Sequence, residues 1–147
     1  MKISTRGRYG TRILLDLAFN EETGPVPLKD IARRQEIPLL YLERLVGPLK
    51  AAGLLRIARG AKGGAVLLKP PGEIKLSTII QLMEGTISPV ECVTDPSVCS
   101  RSDSCFTRDV WNELKEAMDG VLESKTLQDL VDGQRKKNHS QEAMYYI

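Results

Sequence analysis

A glycine-rich basic turn between two short apolar runs places the strongest limit on the fold of this chain. The turn is Arg59-Gly60-Ala61-Lys62-Gly63-Gly64, and apolar residues dominate positions 54–57 before it and 65–68 after it. Short apolar runs on either side of a glycine-containing connection predict a β-hairpin. The tip of this hairpin would carry two cations and little side-chain bulk.

Helical periodicity precedes the hairpin. Apolar residues recur at three- and four-residue steps over residues 7–20, which predicts an amphipathic helix. A loop rich in proline and glycine follows over residues 20–27. Two further apolar sets, at residues 28–32 and 39–49, predict a pair of helices with a tight connection between them. Helix, short helix, helix and basic hairpin is the element order of a winged helix-turn-helix.

The second half of the chain predicts a helix, a long loop and a longer helix. Pro70-Pro71-Gly72 marks a candidate boundary, after which apolar residues recur at helical spacing over residues 76–83. Residues 86–105 are poor in helix formers and favour a loop, and a loop of that length is usually functional. From Val110 onward a second amphipathic pattern predicts a long helix.

The expected fold class is therefore mainly α with a small β-hairpin, a winged helix-turn-helix domain followed by a long dimerisation helix. We expect a DNA-binding domain over residues 1–70, a cysteine loop and dimerisation helix over residues 71–132, and a disordered tail over residues 133–147.

The long helix follows the domain and carries its own apolar stripe. The stripe must be covered either by the domain, as in an ordinary core helix, or by the same helix of a second chain. A twofold dimer needs only one self-complementary surface, so it is the simpler arrangement. The candidate dimerisation residues are Val110, Trp111, Leu114, Met118, Val121 and Leu122.

Charge is unevenly divided along the chain. The formal net charge is only +2, yet residues 1–69 hold 13 Lys and Arg against 6 Asp and Glu, whereas residues 70–132 hold 5 against 12. The basic half predicts a polyanionic partner such as double-stranded DNA, and the acidic half favours protein or metal.

Candidate DNA-binding residues fall on three parts of the predicted domain. In a helix-turn-helix the start of the second helix faces base edges, where Glu43 can accept from cytosine and Arg44 can donate to guanine or a phosphate. The hairpin tip can enter a minor groove, and the N-terminal cations suit phosphates. The full set is Lys2, Thr5, Arg6, Arg12, Leu39, Leu40, Tyr41, Glu43, Arg44, Arg59, Gly60, Lys62, Gly63 and Gly64. Packing roles for Leu39 and Tyr41, and a merely solvated turn, stay open.

Three cysteines, Cys92, Cys99 and Cys105, lie close together in the predicted loop. A chain of 147 residues needs no covalent cross-links to fold, and an odd number of cysteines cannot form a closed disulfide framework. No signal peptide or membrane span is apparent, so we expect a cytoplasmic, reducing compartment and no membrane partner. The spacing differs from that of zinc ribbons. An iron–sulfur cluster, zinc, a thiol redox switch and no chemistry at all remain open.

Four motifs together resemble the IscR and NsrR family of dimeric winged-helix transcription regulators of bacteria. They are the start Met1–Tyr9, the segment Tyr41-Leu42-Glu43-Arg44-Leu45, the glycine-rich wing and the entry Pro89-Val90-Glu91-Cys92 to the three cysteines. The resemblance spans roughly residues 1–130, with the motifs in the family's order. It implies a palindromic operator, dimerisation through the long helix, and an iron–sulfur cluster on the three cysteines, with [2Fe-2S] favoured over [4Fe-4S]. Iron–sulfur assembly proteins are then possible partners.

The family's fourth cluster ligands have no counterpart here. In the iron–sulfur biogenesis branch this ligand is a histidine three positions after the last cysteine, where this chain has Arg108. In the nitric-oxide-sensing branch it is an aspartate near the N-terminus of the other subunit, where this chain has Arg8. The fourth ligand is therefore unassigned.

The sequence predicts a regulator that senses iron–sulfur status or oxidative or nitrosative stress. A cluster-free regulator of thiol redox state or cysteine metabolism with the same fold is one alternative, and a small iron–sulfur electron carrier is another. No nucleophile, base and orienting acid occur together, so an enzyme is not expected.

Overall fold

The computed structural model describes residues 2–146. Met1, the first residue of the N-terminal motif, and Ile147, the last residue of the predicted tail, lie outside the described residues. Within them the helices are α1 (Thr5–Phe19), α2 (Leu28–Gln35), α3 (Leu39–Ala51), α4 (Leu76–Glu84), α5 (Glu91–Thr94), α6 (Phe106–Ser124) and α7 (Leu127–Tyr145). Strands β1 (Leu55–Ala58) and β2 (Gly64–Leu67) form one antiparallel hairpin. The mainly helical fold with a small hairpin confirms the predicted fold class.

Helix α1 lies at the centre of the core. Ile13, Leu14 and Leu17 are buried on one of its faces, and α1 contacts α2, α3, α4, α7 and β2. Ser4 caps its N-terminus, accepting a hydrogen bond from the backbone N–H of Gly7. The observed start at Thr5 lies within two residues of the predicted one.

A single sharp turn joins α2 to α3. Glu36 adopts the left-handed conformation with φ of 53°, which is uncommon for a residue other than glycine. The turn buries Ile37, whose backbone N–H donates to the carbonyl of Ala32 at 3.0 Å. Pro38 then precedes α3 with an extended backbone, where its missing N–H costs nothing. The turn thereby fixes the direction in which α3 leaves the core.

The hairpin is anchored to the domain by a third segment. Val26 and Ala65 exchange backbone hydrogen bonds of 3.0 and 2.8 Å. This close approach requires glycine at position 64, because a Cβ there would lie 2.3 Å from the backbone carbon of Val26. The base of the wing is therefore fixed, while its tip projects from the domain.

Two regions differ from the sequence expectations. The cysteine loop is folded into short helical pieces, namely α5 and 3₁₀ turns at Pro96–Val98 and Ser102–Ser104. The predicted disordered tail, residues 133–147, is wrong as far as Tyr145, because α7 continues to that residue.

The continuation of α7 has a physical cause at its start. Thr126 and Asp129 form a reciprocal capping box, and Leu127 and Val131 are buried in the core. Because the first turn of a helix is the costly one to form, a capped and anchored start lets the polar residues beyond it propagate the helix.

Candidate nucleic-acid interface and cysteine loop

Helix α3 has one face in the core and one face in solvent. Leu42 is fully buried, as expected for a core residue, and Leu45 and Val46 lie beside it. Leu40, at the start of the helix, is 75% exposed. The remaining predicted α3 contacts are exposed as well: Leu39, Glu43 and Arg44. Alternation at helical spacing thus leaves the N-terminal end of α3 exposed to solvent, and its contacts with DNA stay predictions.

Tyr41 packs against α1. Its ring meets the ring of Tyr9 edge to face at a centroid distance of 6.0 Å, and the guanidinium of Arg12 lies 5.4 Å from the Tyr9 centroid. Arg12 also donates to the side chain and the carbonyl of Gln35, at the end of α2. Arg12 therefore links α1 to the end of α2, and Tyr41 links α3 to α1. Their DNA contacts stay predictions.

A buried aspartate that the sequence reasoning did not single out connects α1 to α2. Asp16 accepts hydrogen bonds from the side chains of Arg34 and Gln35, and hydrogen bonding to this carboxylate raises the pKa of Arg34. The available signal was an acidic residue inside the apolar stripe of the first helix, between Leu14 and Leu17. A buried carboxylate of this kind must find a partner.

The wing presents its cations at a tight tip. Arg59 and Lys62 are exposed, and the backbone N–H of Gly63 donates to the carbonyl of Gly60 at 3.0 Å. Gly60 has φ of 106°, a conformation that favours glycine. The predicted contact of this tip with a minor groove stays a prediction.

The N-terminal arm adds a further group of exposed cations. Lys2, Arg6 and Arg8 are exposed, as is Thr5 at the start of α1. The predicted DNA contacts of this arm remain a prediction, but each of its side chains is accessible to a phosphate.

The cysteine loop holds its thiols apart. Cys92 lies in α5, Cys99 follows the turn Pro96–Val98, and Cys105 directly precedes α6. All three are free; Cys99 is exposed, and the other two are half-buried. Over residues 2–146, no three or more His, Cys, Asp or Glu side chains gather closely enough to hold a metal ion. Cysteine thiolates are the ligands that normally hold iron–sulfur clusters. In this structure, however, the three cysteine side chains do not come together around a single site.

Arg108 closes the loop onto α6. Its Nε donates to the carbonyl oxygen of Cys92 at 2.9 Å, and its Nη1 donates to the carbonyl oxygen of Ser102 at 3.4 Å. Ser102 is buried, and its hydroxyl donates to the carbonyl of Pro96 at 2.8 Å. One guanidinium in the first turn of α6 therefore ties together both halves of the cysteine loop.

Cys105 has the environment of a reactive thiol. Its Sγ lies 3.2 Å from the Thr107 hydroxyl oxygen. Hydrogen bonding from that hydroxyl, with smaller contributions from the backbone N–H groups of Arg108 and Thr107 and the charge of Arg101, lowers the pKa of the Cys105 thiol. A cavity of about 250 Å³ opens beside it. Thiolates at helix N-termini next to cations are the reactive ones.

The core of a single chain does not bury the apolar stripe of α6. No residue of this helix is buried, and Val121 is 61% exposed. A largely apolar cavity of about 470 Å³ runs beside the stripe, next to Ile3 and Ile87. The candidate residues thus lie on a face that a second chain can cover, and the dimer contact itself stays a prediction. None of the helices in the described part of the chain has the length and apolar character needed to cross a membrane.

Three comparisons with known proteins all find that the chain is similar to regulators. A family model named Rrf2, described as an iron-dependent transcriptional regulator, matches residues 3–133. The chain is 43% identical over 150 residues to the HTH-type transcriptional regulator CymR of Bacillus subtilis strain 168, across 100% of both chains. The solved structure of CymR, the global cysteine regulator of B. subtilis, superposes with a TM-score of 0.77 at 42% identity, over 90% of this chain and 97% of that one. The structure of T. potens IscR gives a TM-score of 0.79 at 36% identity, over 99% and 97%.

Proposed function

The chain belongs to the Rrf2 family of transcriptional regulators, and from that premise we propose that it is a homodimer that binds a palindromic DNA operator and senses its signal through the cysteine loop. Regulators of this fold bind DNA and act as dimers, and the relatives are transcription regulators and not enzymes. Membership in the family also argues against the electron-carrier alternative.

The exposed face of α3 carries the DNA-binding part of the proposal. Glu43 and Arg44 project outward from a helix whose opposite face is anchored by Leu42, so their positions are set by the core. A side chain held in this way can read a base edge with a defined geometry. The basic wing tip and the N-terminal arm supply phosphate and minor-groove contacts on the same domain.

The cysteine trio supports the sensing part. We infer that Cys92, Cys99 and Cys105 hold an iron–sulfur cluster, [2Fe-2S] by preference, delivered by iron–sulfur assembly proteins. All three thiols are free, and the matching family is described as iron-dependent. Such a cluster supplies sensitivity to iron supply, oxidants and nitric oxide. The three thiols lie apart in this structure, so the loop must rearrange to bring them together.

Arg108 links the cysteine loop to α6, and through α6 a change in the loop can affect operator binding. A rearranged loop must alter the contacts that Arg108 makes with the carbonyls of Cys92 and Ser102, and Arg108 belongs to α6. In a dimer the two α6 helices set the separation of the two α3 helices, which must match half-sites about one helical turn apart. A coupling of about 1–3 kcal/mol is enough to switch operator occupancy.

A cluster-free thiol sensor is the second candidate. The observation that favours it is the Cys105 thiol, whose pKa is lowered at the start of α6. Similarity to CymR, the global cysteine regulator of B. subtilis, points in the same direction. Both candidates place the signal in the same loop and differ in what binds there.

One experiment separates the two candidates. The protein is purified anaerobically, and its visible absorption, iron and acid-labile sulfide are measured. An operator is then selected from a randomised duplex library, and its affinity is compared for wild type and Cys92→Ala. Iron-containing wild type whose affinity changes in the Cys92→Ala variant supports the cluster sensor. A colourless, iron-free protein whose affinity responds to thiol oxidation supports the second candidate, and failure to select any duplex contradicts the DNA-binding proposal itself.

A further inference from the structure

Glu84, the last residue of α4, holds the N-terminus of α1. Its Oε1 accepts hydrogen bonds from the backbone N–H groups of Ser4 at 3.0 Å and Gly7 at 2.9 Å, and from the Ser4 hydroxyl at 2.5 Å. Ser4 also caps the same N–H of Gly7, but at the longer distance of 3.4 Å. The principal cap of α1 is therefore a carboxylate from another helix.

Glycines make this approach possible. A Cβ on Gly7 would lie 2.2 Å from Glu84 Oε1, and a Cβ on Gly10 would lie 2.8 Å from the Cγ of Met83. The two glycines are three residues apart, so they occupy one face of α1 and let the end of α4 lie directly against it. A larger residue at position 7 would displace the carboxylate, and one at position 10 would displace the side chain of Met83.

The charge of Glu84 is placed where a cap benefits from it. The first N–H groups of a helix lack intrahelical partners, and the positive end of the helix dipole favours an anion there. The side chain of Glu84 accepts its hydrogen bonds from N–H and hydroxyl groups. Within residues 2–146, neither Lys2 nor Arg6 forms an ion pair. The arm's cations thus remain available to a phosphate.

We propose that Glu84 is a positioning residue for DNA binding, whose carboxylate fixes the start of α1 so that Lys2 and Arg6 meet phosphates in a preset arrangement. The proposal rests on the proposed function, because it presumes that this chain binds duplex DNA with its N-terminal arm. Its consequence runs against simple electrostatics, since an acidic side chain beside a DNA-facing surface here raises the affinity.

A matched pair of variants isolates this role. Glu84→Gln and Glu84→Met remove the same charge and have similar length, but only glutamine keeps an oxygen that can accept at the Oε1 position. Repulsion alone predicts that both variants bind DNA more tightly than wild type. A positioning role predicts that methionine loses the binding, whereas glutamine, which keeps the acceptor without the charge, retains most of it.

The measurement is the affinity of the full-length protein for a random-sequence duplex, by fluorescence anisotropy over a series of salt concentrations. For Glu84→Met we expect affinity about tenfold below that of Glu84→Gln at low salt, and a salt slope smaller by about one to two per protomer, as for lost phosphate contacts. A general loss of stability would lower the fraction of folded protein without changing that slope, and urea unfolding of each variant measures it separately.

The double variant Lys2→Ala/Arg6→Ala keeps the test decisive if Glu84→Met does not fold, because both side chains are exposed. We expect this variant by itself to lower the salt slope by about one to two per protomer. Where Glu84→Met folds, adding it to the double variant should lower the slope no further. An unchanged slope in the double variant, or equal slopes and affinities for the glutamine and methionine variants, overturns the positioning role. Wild type that does not bind duplex DNA at low salt contradicts the proposed function instead.

Discussion

Arg34 and Asp16 form a two-contact ion pair between α2 and α1. The Nε of Arg34 donates to Oδ2 at 2.9 Å and its Nη2 donates to Oδ1 at 2.6 Å, while Asp16 is only 3% exposed. Gln35 adds a third hydrogen bond to the same carboxylate at 2.9 Å. The pair fixes α2 against α1, and the turn after α2 then sets the direction of α3, whose N-terminal end is exposed.

Asp16→Ala is expected to be strongly destabilising, because it leaves the donors of Arg34 and Gln35 without their acceptor. Breaking a buried ion pair costs about 3–5 kcal/mol, and we expect about 2–4 kcal/mol here since Arg34 can partly rehydrate. Urea unfolding measures this loss. The matched control is Arg33→Ala, which removes an exposed ion pair with Asp30 and should cost less than about 0.5 kcal/mol. Equal losses in the two variants would contradict a special role for the buried pair.

The helices and strands that are marked by a local sequence pattern were predictable from the sequence. The first helix, the helix pair and the hairpin each rest on periodicity or glycine placement, and their observed bounds lie within a few residues of those expected. The sequence also held the signal for α7, since Thr126 and Asp129 have the spacing of a capping box. The low apolar content of residues 133–147 pointed the other way, because few side chains there can pack against the core.

Contacts between distant residues were not predictable in this way. Glu84 and Gly7 are 77 positions apart, and Arg108 and Cys92 are 16 apart. No local pattern marks an arginine as the closing residue of a loop or a glutamate as the cap of another helix. The cysteine spacing indicated which residues carry chemistry, but not that the folded loop keeps them apart.

Arg44 and Lys62 are expected to contribute to DNA binding in different ways. Arg44→Ala, on the exposed face of α3, should cost about 1–3 kcal/mol of operator binding and relax the preference at one base pair. Lys62→Ala, at the wing tip, should weaken operator and random duplex alike and lower the salt slope by about one. Anisotropy titrations against the selected operator, its single base-pair variants and a random duplex measure both effects. A preference that survives Arg44→Ala at every base pair would exclude direct readout by this side chain.

Arg108→Ala is expected to release the cysteine loop, because the carbonyls of Cys92 and Ser102 lose their shared donor. Limited proteolysis of the cluster-free protein should cut within residues 92–105 several times faster than in wild type. Arg108→Lys should not restore protection, since a single ammonium cannot span both carbonyls in the way a forked guanidinium does. Arg101→Ala, which removes an exposed cation of the same loop, is the control. Equal cleavage of the alanine and wild-type proteins would show that the loop is held by other contacts.

Val121→Glu tests whether the stripe of α6 is a dimer contact. A carboxylate introduced into an apolar interface must be desolvated without a partner, so we expect the dimer dissociation constant to rise by at least about tenfold. Sedimentation equilibrium measures this change. Glu116→Gln, which alters an exposed polar residue elsewhere on the same helix, should leave the dissociation constant unchanged. A Val121→Glu protein that remains as dimeric as wild type would place the interface on another surface.

The pH dependence of Cys105 alkylation follows from its hydrogen bond with Thr107. The hydroxyl stabilises the thiolate and lowers the pKa of Cys105, so at a given pH a larger fraction of this thiol is in the reactive thiolate form than for an ordinary cysteine. Removing the donor with Thr107→Val must raise the pKa, which slows reaction with iodoacetamide near neutral pH and leaves it unchanged at high pH, where both proteins are thiolates. The rates are measured anaerobically, without metal, in a Cys92→Ser/Cys99→Ser background, with Thr94→Val as the control for the loss of a loop hydroxyl. If the rate profiles with and without the Thr107 hydroxyl superimpose at every pH, this hydroxyl does not activate the thiol. The cluster-free sensing mechanism would then lose its main support.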